Sequence, residues 1–517
     1  MHKIEIQSIE VEESLISSLK NSENEELRVQ DFVDFFNKNF GVKPDLMSTA
    51  GGRVNLIGEH VDYPDVQFCE GNRAELYSLG SAIQNNFLAA LSERDDENLH
   101  LVHLNAKQSF IIPISELSNL ESQCVSEREN KIPFKDRQLP EWLPHTLGTI
   151  FNAIGQSNAT KGFNLLMTSN VPFGAGLSAS AANCSALTLV LNEFYNLGLK
   201  ENIEIVTFAR ASENSKFAGG HCGWLDYQLI IQSKENLLTQ ICYADNSIEY
   251  FSSNLPASMQ FITINTNVPH VLAESDYVIR VAELDAAINF LSTFFGEQVN
   301  GPKLGLAFIN QAIQMFDNNA IDQIEEGIKK LVLEYSDNKC IHLKSKLKDL
   351  PAYVEVHYEV LDYKNHGSLS KQESFVILLK RLRHQSVSSV LVPLAGEAAK
   401  KGDSQSFGEL LNQEGVSLRM SGDFEITGDN GAQDQLLDIG FKTSKEVGLN
   451  VFGRMLGGGG GGNVLFYADR NDESKYQEWK EKVCLKYNEW SSLNFADKPI
   501  ATCIEPLVSA GANLIKH

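Results

Sequence analysis

Residues 163–195 read FNLLMTSNVPFGAGLSASAANCSALTLVLNEFY, and the spacing of the apolar residues changes part-way through this stretch. The first seven residues, FNLLMTS, are typical of a strand. After the glycines, the apolar residues recur at helical spacing. Five of them fall near one face of that helix: Ala182, Ala186, Leu189, Val190 and Phe194. The stretch therefore predicts a strand, a glycine turn and a helix.

The glycine turn between this strand and this helix, residues 174–181, suits the binding of phosphate. Its small residues let the backbone approach an anion closely, and the helix that follows contributes N–H groups and a positive dipole end. A purely structural glycine turn fits the same residues. The turn lacks the GK[ST] ending of a P-loop, and it does not have clean Rossmann spacing. Other segments must decide between these interpretations.

Upstream of the turn, residues 51–63 read GGRVNLIGEHVDY and are dense in polar groups of different chemistry. These groups are Arg53, Asn55, Glu59, His60 and Asp62. A strand with one solvated face could carry any one of them. Together they offer hydrogen-bond donors and acceptors of the kind that the hydroxyls of a sugar require. A sugar is therefore the natural candidate ligand.

Downstream of the turn, residues 219–228 read GGHCGWLDYQ, and Asp226 follows the apolar residues Trp224 and Leu225. A partly desolvated carboxylate could accept a proton from a substrate. An aspartate at a helix N-cap or in a turn is the alternative interpretation. Both stay open at this point.

Six consecutive glycines, residues 457–462, lie between the apolar runs VFGRML and NVLFYA. Such a run is usually a flexible linker. Because strand-like segments flank it, a tight loop packed against another backbone is an equal alternative.

The rest of the chain supplies the frame for these segments. An amphipathic helix is expected over Val29–Phe40, strands from about Phe87, and a strand over Met259–Val268 that could open a second domain. Residues 270–450 are mostly helical in pattern, and residues 115–140 are charged and irregular, which predicts a surface insertion. A domain boundary is expected near residue 240, giving domains 1–240 and 241–517.

Composition limits the function. A chain of 517 residues exceeds one ordinary hydrophobic core, so at least two domains are expected. The net charge of -23 disfavours nucleic-acid and membrane-surface partners. The first residues lack the pattern of a secretory signal, no apolar run is long enough to span a bilayer, and the eight cysteines are scattered. We therefore expect a cytoplasmic protein with reduced thiols and a small-molecule substrate.

Taken in order, the segments resemble those of the galactokinases, a group of GHMP small-molecule kinases. GRVNLIGEHVDY is similar to the family's GRVNLIGEHTDY, and VPFGAGLSASAA to its phosphate loop P-x-G-x-GLSSSAA. HCGWLD resembles the CGxxD segment of the catalytic aspartate. TNVPHVLAESDYVIR, RLRHQS, FGELLNQEGVSLRMSGDFEIT and RMLGGGGGGNV resemble further family motifs. The resemblance spans residues 30–470.

The resemblance implies an α+β, two-domain GHMP kinase fold with the active site in the cleft between the domains. It also implies the transfer of the γ-phosphoryl group of MgATP to the anomeric hydroxyl of a sugar. Asp226 would accept or orient the hydroxyl proton, and Arg53 would stabilise the developing charge. Ser178 and Glu213 would help to hold Mg²⁺.

Two larger sets of residues follow from the same resemblance. The implied sugar ligands are Glu59, His60, Asp62, Gly223 and Tyr277. The implied phosphate loop is Gly174, Ala175, Gly176, Leu177, Ser178, Ala179, Ser180 and Ala181. The glycine run would support that loop from the second domain.

The chain departs from the family pattern beside these sites. Residues 64–75, PDVQFCEGNRAE, intervene after the sugar signature, and Gly51 stands where the family has proline. Ala179 replaces a serine of the phosphate loop, and Tyr227 follows Asp226 where the family has glutamine. One residue is added between Glu213 and Cys222. In the last motif, Leu456 and Gly460 replace threonine and phenylalanine.

Three functions are compatible with this pattern. The first is an active galactokinase, since the base, the arginine, the metal ligands and the sugar set are all present. The second is a kinase for a related sugar such as N-acetylgalactosamine, because the insertion after Tyr63 would reshape the pocket. The third is a non-catalytic sensor that binds sugar and ATP and regulates a protein partner.

Overall fold

The computed structural model describes residues 7–20, 25–62, 76–130, 132–133, 136–220, 222–268, 371–419, 431–459, 461–497, 499–506 and 508–515. These residues fall into two compact units. Unit 1 lies within Met1–Val54, Ser81–Leu238 and Pro506–His517, and unit 2 within Asn55–Gly80 and Thr239–Glu505. The domain boundary expected near residue 240 stays a prediction. The two units do not follow that boundary, because residues 55–80 group with residues 239–505, and residues 506–517 group with the N-terminal residues of unit 1.

In chain order the described helices and strands are β1 (Gln7–Ser8), α1 (Glu13–Lys20), α2 (Glu25–Phe40), β2 (Leu46–Ile57), β3 (Tyr77–Glu93), β4 (Asn98–His103), β5 (Gln108–Pro113), α3 (Leu117–Glu129), α4 (Leu143–Ser157), β6 (Phe163–Ser169), α5 (Ala179–Tyr195), α6 (Asn202–Glu213), α7 (Leu225–Gln232), β7 (Leu238–Cys242), β8 (Ile248–Phe251), β9 (Met259–Asn265), α8 (Lys371–Lys401), α9 (Ser404–Arg419), α10 (Ala432–Val447), β10 (Val451–Met455), β11 (Asn463–Asp469), α11 (Glu473–Asn494), β12 (Thr502–Ile504), β13 (Val508–Ser509) and β14 (Asn513–Leu514). No helix among these is long and apolar enough to cross a membrane.

The sheet of unit 1 has the strand order β1-β5-β4-β6-β3-β2-β14, and β13 pairs with β3. The β4–β6 pair is parallel, and the other pairs with a defined register in this unit are antiparallel. One core cluster of this unit packs α1 and α2 against these strands, with Phe32, Phe36 and Leu166 fully buried. The strand order places β2 and β3 inside the sheet, and both strands carry long runs of buried residues.

Helices α4, α5, α6 and α7 of unit 1 pack against one another. Helix α6 begins with a capping box in which the side chains of Glu201 and Glu204 each accept a hydrogen bond from the other's backbone N–H. Helix α5 is buried almost continuously from Ala181 to Leu191. Its apolar side chains therefore pack on more than the single face that the periodicity indicated.

Unit 2 contains a four-stranded antiparallel sheet in the order β10-β11-β9-β12. Helices α10 and α11 cover it around the buried side chains of Phe466, Trp479 and Tyr487. Strand β7 pairs with β8 and with residues Tyr77–Gly80 at the start of β3. Strand β9 begins at Met259, as the sequence predicted.

Several sequence predictions are confirmed by these elements, including the strand 163–169, the helix after the glycine turn, and the two strands that flank the glycine run. The expectation for residues 115–140 was wrong in part. A regular helix, α3, occupies Leu117–Glu129, and it buries Leu120 and Cys124. Because charged residues dominate this stretch, the sequence did not reveal the apolar face of the helix. Of the predicted helical region 270–450, residues 270–370 and 420–430 lie outside the described residues.

Candidate active site

Strand β2 brings Arg53 into direct contact with the glycine turn. The backbone N–H of Arg53 donates to the carbonyl oxygen of Leu177 at 3.1 Å. A Cβ atom added to Gly52 would lie 2.6 Å from the same oxygen, and one added to Gly51 would lie 2.4 Å from the carbonyl oxygen of Ile83. Only glycine permits backbone contacts as close as these. Gly52 therefore lets β2 lie against the turn, and Gly51 lets it lie against β3.

The turn itself has the backbone of an anion-binding loop. Gly174, Gly176 and Ser178 have left-handed φ angles of 63°, 69° and 61°, whereas Ala175 and Leu177 between them do not. Alternation of this kind aims successive N–H groups into one concavity. Ser178 occupies the N-cap of α5, but its side chain does not cap the helix. The first N–H groups of α5 are thus left uncapped by that side chain, as phosphate binding requires.

Asp226 lies in the first turn of α7 and meets two of the other predicted residues. One carboxylate oxygen lies 2.6 Å from Arg53 Nε, and the other accepts a hydrogen bond of 2.6 Å from the hydroxyl of Ser178. The Nη1 atom of Arg53 also donates to the carbonyl oxygen of Gly176. The side chain of Asp226 is 26% exposed and that of Arg53 is 5% exposed. The structure therefore brings Arg53, Asp226 and the glycine turn together, with the carboxylate accessible.

Glu213, the other predicted metal ligand, ends α6 and is buried. Its carboxylate accepts a hydrogen bond from the hydroxyl of Tyr227, and it lies within 4.8 Å of ligand atoms of His145 and Cys184. Burial raises the pKa of Tyr227 well above its usual value, so the phenol is a neutral donor. In this structure Ser178 and Glu213 therefore engage different partners.

The segment between Glu213 and α7 is tied down by side chains that the sequence analysis did not single out. Asn214 Oδ1 accepts from the backbone N–H of Cys222 at 2.8 Å, and Asn214 Nδ2 donates to its carbonyl oxygen at 3.0 Å. Arg128 of α3 donates to the carbonyl oxygen of Phe217 at 2.7 Å. Gly223, a predicted sugar ligand, is buried just before α7. Helix α3 thus supports the segment that leads to Asp226.

The remaining described sugar candidates belong to unit 2. The carboxylate of Glu59 accepts a hydrogen bond of 2.9 Å from the backbone N–H of Gly457, the first residue of the glycine run. His60 has a left-handed φ of 57° and accepts a hydrogen bond at its carbonyl oxygen from Gln385. Glu59, His60 and Asp62 are all buried. The glycine run is therefore a structured loop at Gly457, and it fixes the orientation of Glu59.

A buried ion-pair network stabilises the same segment. Glu414 accepts from the backbone N–H of Glu59 at 3.1 Å and of Gly58 at 3.3 Å, and it lies 2.8 Å from Arg454 Nε. Arg454 also lies 3.7 Å from Glu59 and donates to the carbonyl oxygen of Leu56 at 2.9 Å. Burial raises the pKa of Glu414, and the charge of Arg454 opposes that rise.

Sequence reasoning gave no role to Glu414, Arg454 or His384, whose Nε2 atom lies 2.9 Å from the carbonyl oxygen of Glu59. All three lie in segments that resemble family motifs, and this resemblance is the sequence feature that could have identified them. The predicted sugar ligand Tyr277, the insertion 64–75 and Gly460 lie outside the described residues.

Two family models match parts of the chain. The galactokinase galactose-binding signature matches residues 34–69, and the N-terminal domain of GHMP kinases matches residues 145–233. These ranges contain Arg53 with Glu59 to Asp62, and the glycine turn with Glu213 and Asp226. In both segments the chain is similar to the galactokinases, a group of GHMP kinases.

Curated galactokinases are similar to most of the chain. The galactokinase of Clostridium beijerinckii is 27% identical over 82% of this chain and 86% of its own length. The galactokinase of Ligilactobacillus salivarius is 26% identical over 88% of this chain and 93% of its own length. The crystal structure of Lactococcus lactis galactokinase complexed with galactose superposes with a TM-score of 0.64, at 21% identity, over 94% of this chain and 99% of that one. The α+β, two-domain GHMP kinase fold that the sequence predicted is thereby confirmed.

Proposed function

We propose that this protein is a galactokinase that transfers the γ-phosphoryl group of MgATP to the anomeric hydroxyl of galactose, giving galactose 1-phosphate. The observation that carries the proposal is the cluster of Arg53, Asp226 and Ser178 at the glycine turn. It places an accessible carboxylate and a guanidinium beside a loop whose backbone suits phosphate. Those are the groups that phosphoryl transfer to a hydroxyl requires.

Asp226 acts on the attacking hydroxyl in this proposal. Its carboxylate oxygens are held by Arg53 and Ser178, so their orientation is fixed before the substrate binds. A carboxylate in this position accepts the proton of the sugar hydroxyl or orients it toward the phosphorus. Arg53 keeps a positive charge beside the reacting groups, and it stabilises the negative charge that spreads over the transferred phosphoryl oxygens.

The glycine turn binds the phosphates of ATP. The left-handed residues Gly174, Gly176 and Ser178 shape the concavity, and the N-terminus of α5 adds its dipole. This local positive potential is needed because the chain as a whole carries a net charge of -23. The backbone and Arg53 therefore supply the attraction for the nucleotide.

The residues present fit a magnesium ion. The hydroxyl of Ser178 and the carboxylate of Glu213 are oxygen ligands, which Mg²⁺ prefers. When bound, the ion neutralises phosphate charge. Holding it with both residues requires the Glu213 carboxylate to exchange the Tyr227 hydroxyl for the ion or for its water. Tyr227 stays neutral and can follow as a donor to the same carboxylate.

The sugar side of the proposal rests on the galactose-binding signature and on the residues it covers. Glu59, His60 and Asp62 fall within residues 34–69, and Glu59 is oriented by Gly457 and Arg454. A polyhydroxylated ligand needs acceptors and donors in fixed positions. Gly223 and Tyr277 complete the proposed sugar set.

The deciding experiment is ADP release by the purified protein with MgATP and a panel of free sugars: galactose, N-acetylgalactosamine, glucose and arabinose, with mevalonate as an off-class control. Galactose should give the highest kcat/KM. Turnover that prefers another sugar would overturn the substrate assignment and direct attention to residues 64–75. Sugar binding without any turnover would overturn the enzymatic assignment and favour the sensor.

A further inference from the structure

Two cysteines of unit 2 that lie far from the glycine turn in sequence face each other in the structure. Cys484 belongs to α11 and Cys503 to β12, and their sulfur atoms are 3.3 Å apart. A disulfide bond requires about 2.05 Å, so both residues are thiols here. A small movement of either side chain closes the remaining gap. The scattered spacing of cysteines in the sequence gave no hint of this pair.

Both sulfur atoms are carried by well-anchored elements. Cys503 is paired with Ile264 in the β12–β9 ladder. Helix α11 is fixed by the buried side chains of Trp479, Val483 and Tyr487 on either side of Cys484. The encounter of the two thiols therefore follows from the packing of α11 and from the strand register.

The pair is open to solvent and is chemically asymmetric. Cys503 is exposed and Cys484 is half-buried. The hydrogen bond from the Cys503 thiol, assisted by the charge of Lys480, lowers the pKa of Cys484. Glu505 faces the same place and lies 3.5 Å from Lys480, which moderates that charge. Cys484 is therefore the thiol that is ionised more readily and attacks first.

We propose that Cys484 and Cys503 form an oxidative modification site that a low-molecular-mass disulfide, such as oxidised glutathione, converts into an intramolecular disulfide. The thiolate of Cys484 attacks one sulfur of the reagent, which releases one thiolate and leaves a mixed disulfide on Cys484. The thiolate of Cys503 then attacks the Cys484 sulfur and releases the second thiolate. The two protons of the protein thiols pass to the two released thiolates, so the protein loses two electrons and the reagent gains them.

The new bond joins the edge strand β12 to helix α11 and closes the chain between residues 484 and 503. Closing a loop of this length restricts the unfolded chain. We expect the Tm of unit 2 to rise by about 2–6 °C on oxidation. The thiol pair thus makes the stability of this segment respond to the redox state of its surroundings.

The test treats the full-length reduced protein with oxidised glutathione and maps peptides after trypsin digestion without reductant. Because Lys498 precedes a proline, trypsin should yield peptide 483–486 linked to peptide 487–516, with a mass loss of about 2 Da. Reductant should restore two free peptides. A wild-type protein that accumulates only separate glutathione adducts, or no product at Cys484, would overturn the proposal without any variant.

Two variants test the order of the steps. Cys503→Ser should trap the mixed disulfide on Cys484, visible as an added mass of roughly 305 Da, because no second thiol can displace it. Cys124→Ser is the matched control, since burial raises the pKa of Cys124 to about 11 and the thiol is not solvent-exposed. It should oxidise at the wild-type rate. Equal loss of the linked peptide in both variants would contradict the assignment of the pair.

Discussion

Arg53 Nε lies 2.6 Å from Asp226 Oδ1, although the two residues are 173 positions apart in the chain. The ion pair joins the strand that carries the sugar signature to the helix that carries the proposed base. Its geometry depends on two further contacts, from Arg53 to Gly176 and from Ser178 to Asp226. Because the pair is only partly buried, a substrate can reach the carboxylate while the arginine stays in place.

Asp226→Asn should reduce kcat by about 10²- to 10⁴-fold, because an amide cannot accept the hydroxyl proton. The side chain keeps its size, so sugar binding measured by calorimetry should remain within about twofold of wild type. Asp245→Asn is a matched control on the surface, where the exposed carboxylate accepts from the backbone N–H of Ser247. Wild-type turnover by the Asp226 variant would remove this residue from the mechanism.

Ser178→Gly tests the role of the Ser178 hydroxyl separately from that of the backbone conformation. Residue 178 has a φ of 61°, which glycine adopts without strain, so the free energy of unfolding should rise by up to about 1 kcal/mol or stay unchanged. The hydroxyl that contacts Asp226 is lost, so kcat should fall, and the Mg²⁺ concentration for half-maximal rate should increase. Ser178→Ala keeps Cβ and should show the same loss of rate. A normal magnesium requirement in both variants would exclude Ser178 as a ligand.

The sequence predicted the local elements of this site well because each element consists of contiguous residues. The strand 163–169, the glycine turn and α5 follow directly from periodicity and from small residues. The sequence marked Gly51 only as a departure from the family pattern and Gly52 only as part of the motif, and their close contacts with Ile83 and Leu177 required the folded chain.

Contacts between distant segments could not be predicted from one sequence. Nothing in the periodicity of α9 or β10 indicates that Glu414 and Arg454 hold residues 58 and 59. The charged composition of residues 115–140 likewise concealed α3, whose Arg128 contacts the segment before Asp226. Such pairings depend on topology, which sequence patterns leave open.

Gly52→Ala should disturb the phosphate loop directly. The added Cβ would lie 2.6 Å from the carbonyl oxygen of Leu177, so the turn or β2 must shift. We expect a loss of about 1–3 kcal/mol in the free energy of unfolding and an increased KM for ATP. Gly155→Ala is the control, because its Cβ meets nothing within 4 Å and it lies in helix α4. That change should stabilise the protein by up to about 1 kcal/mol. Equal effects of the two substitutions would contradict the close contact.

Glu414→Gln should affect the sugar more than the nucleotide. The amide oxygen can still accept from the N–H groups of Gly58 and Glu59, but the negative charge beside Arg454 is lost. Arg454 should then turn toward Glu59 and move the sugar segment. We expect a several-fold increase in KM for the sugar and little change in KM for ATP.

The control for this change is Glu409→Gln on the exposed face of the same helix, where the carboxylate accepts from Gln405. It should leave both KM values unchanged. A Glu414→Gln variant that loses affinity for ATP and for sugar alike would assign Glu414 a general structural role instead.

His103 should make the stability of unit 1 depend on pH. Burial lowers its pKa from the usual 6.5 to about 4, and its ring packs against Trp142 while Nδ1 accepts from the backbone N–H of Ala106. Below pH 6.5 the unfolded chain takes up a proton at this residue and the folded chain does not. The free energy of unfolding should therefore fall by about 2 kcal/mol between pH 6.5 and pH 5 through His103. In His103→Asn, which keeps an acceptor for Ala106, urea unfolding at the two pH values should show a smaller difference. The same pH dependence in both proteins would mean that other groups carry it.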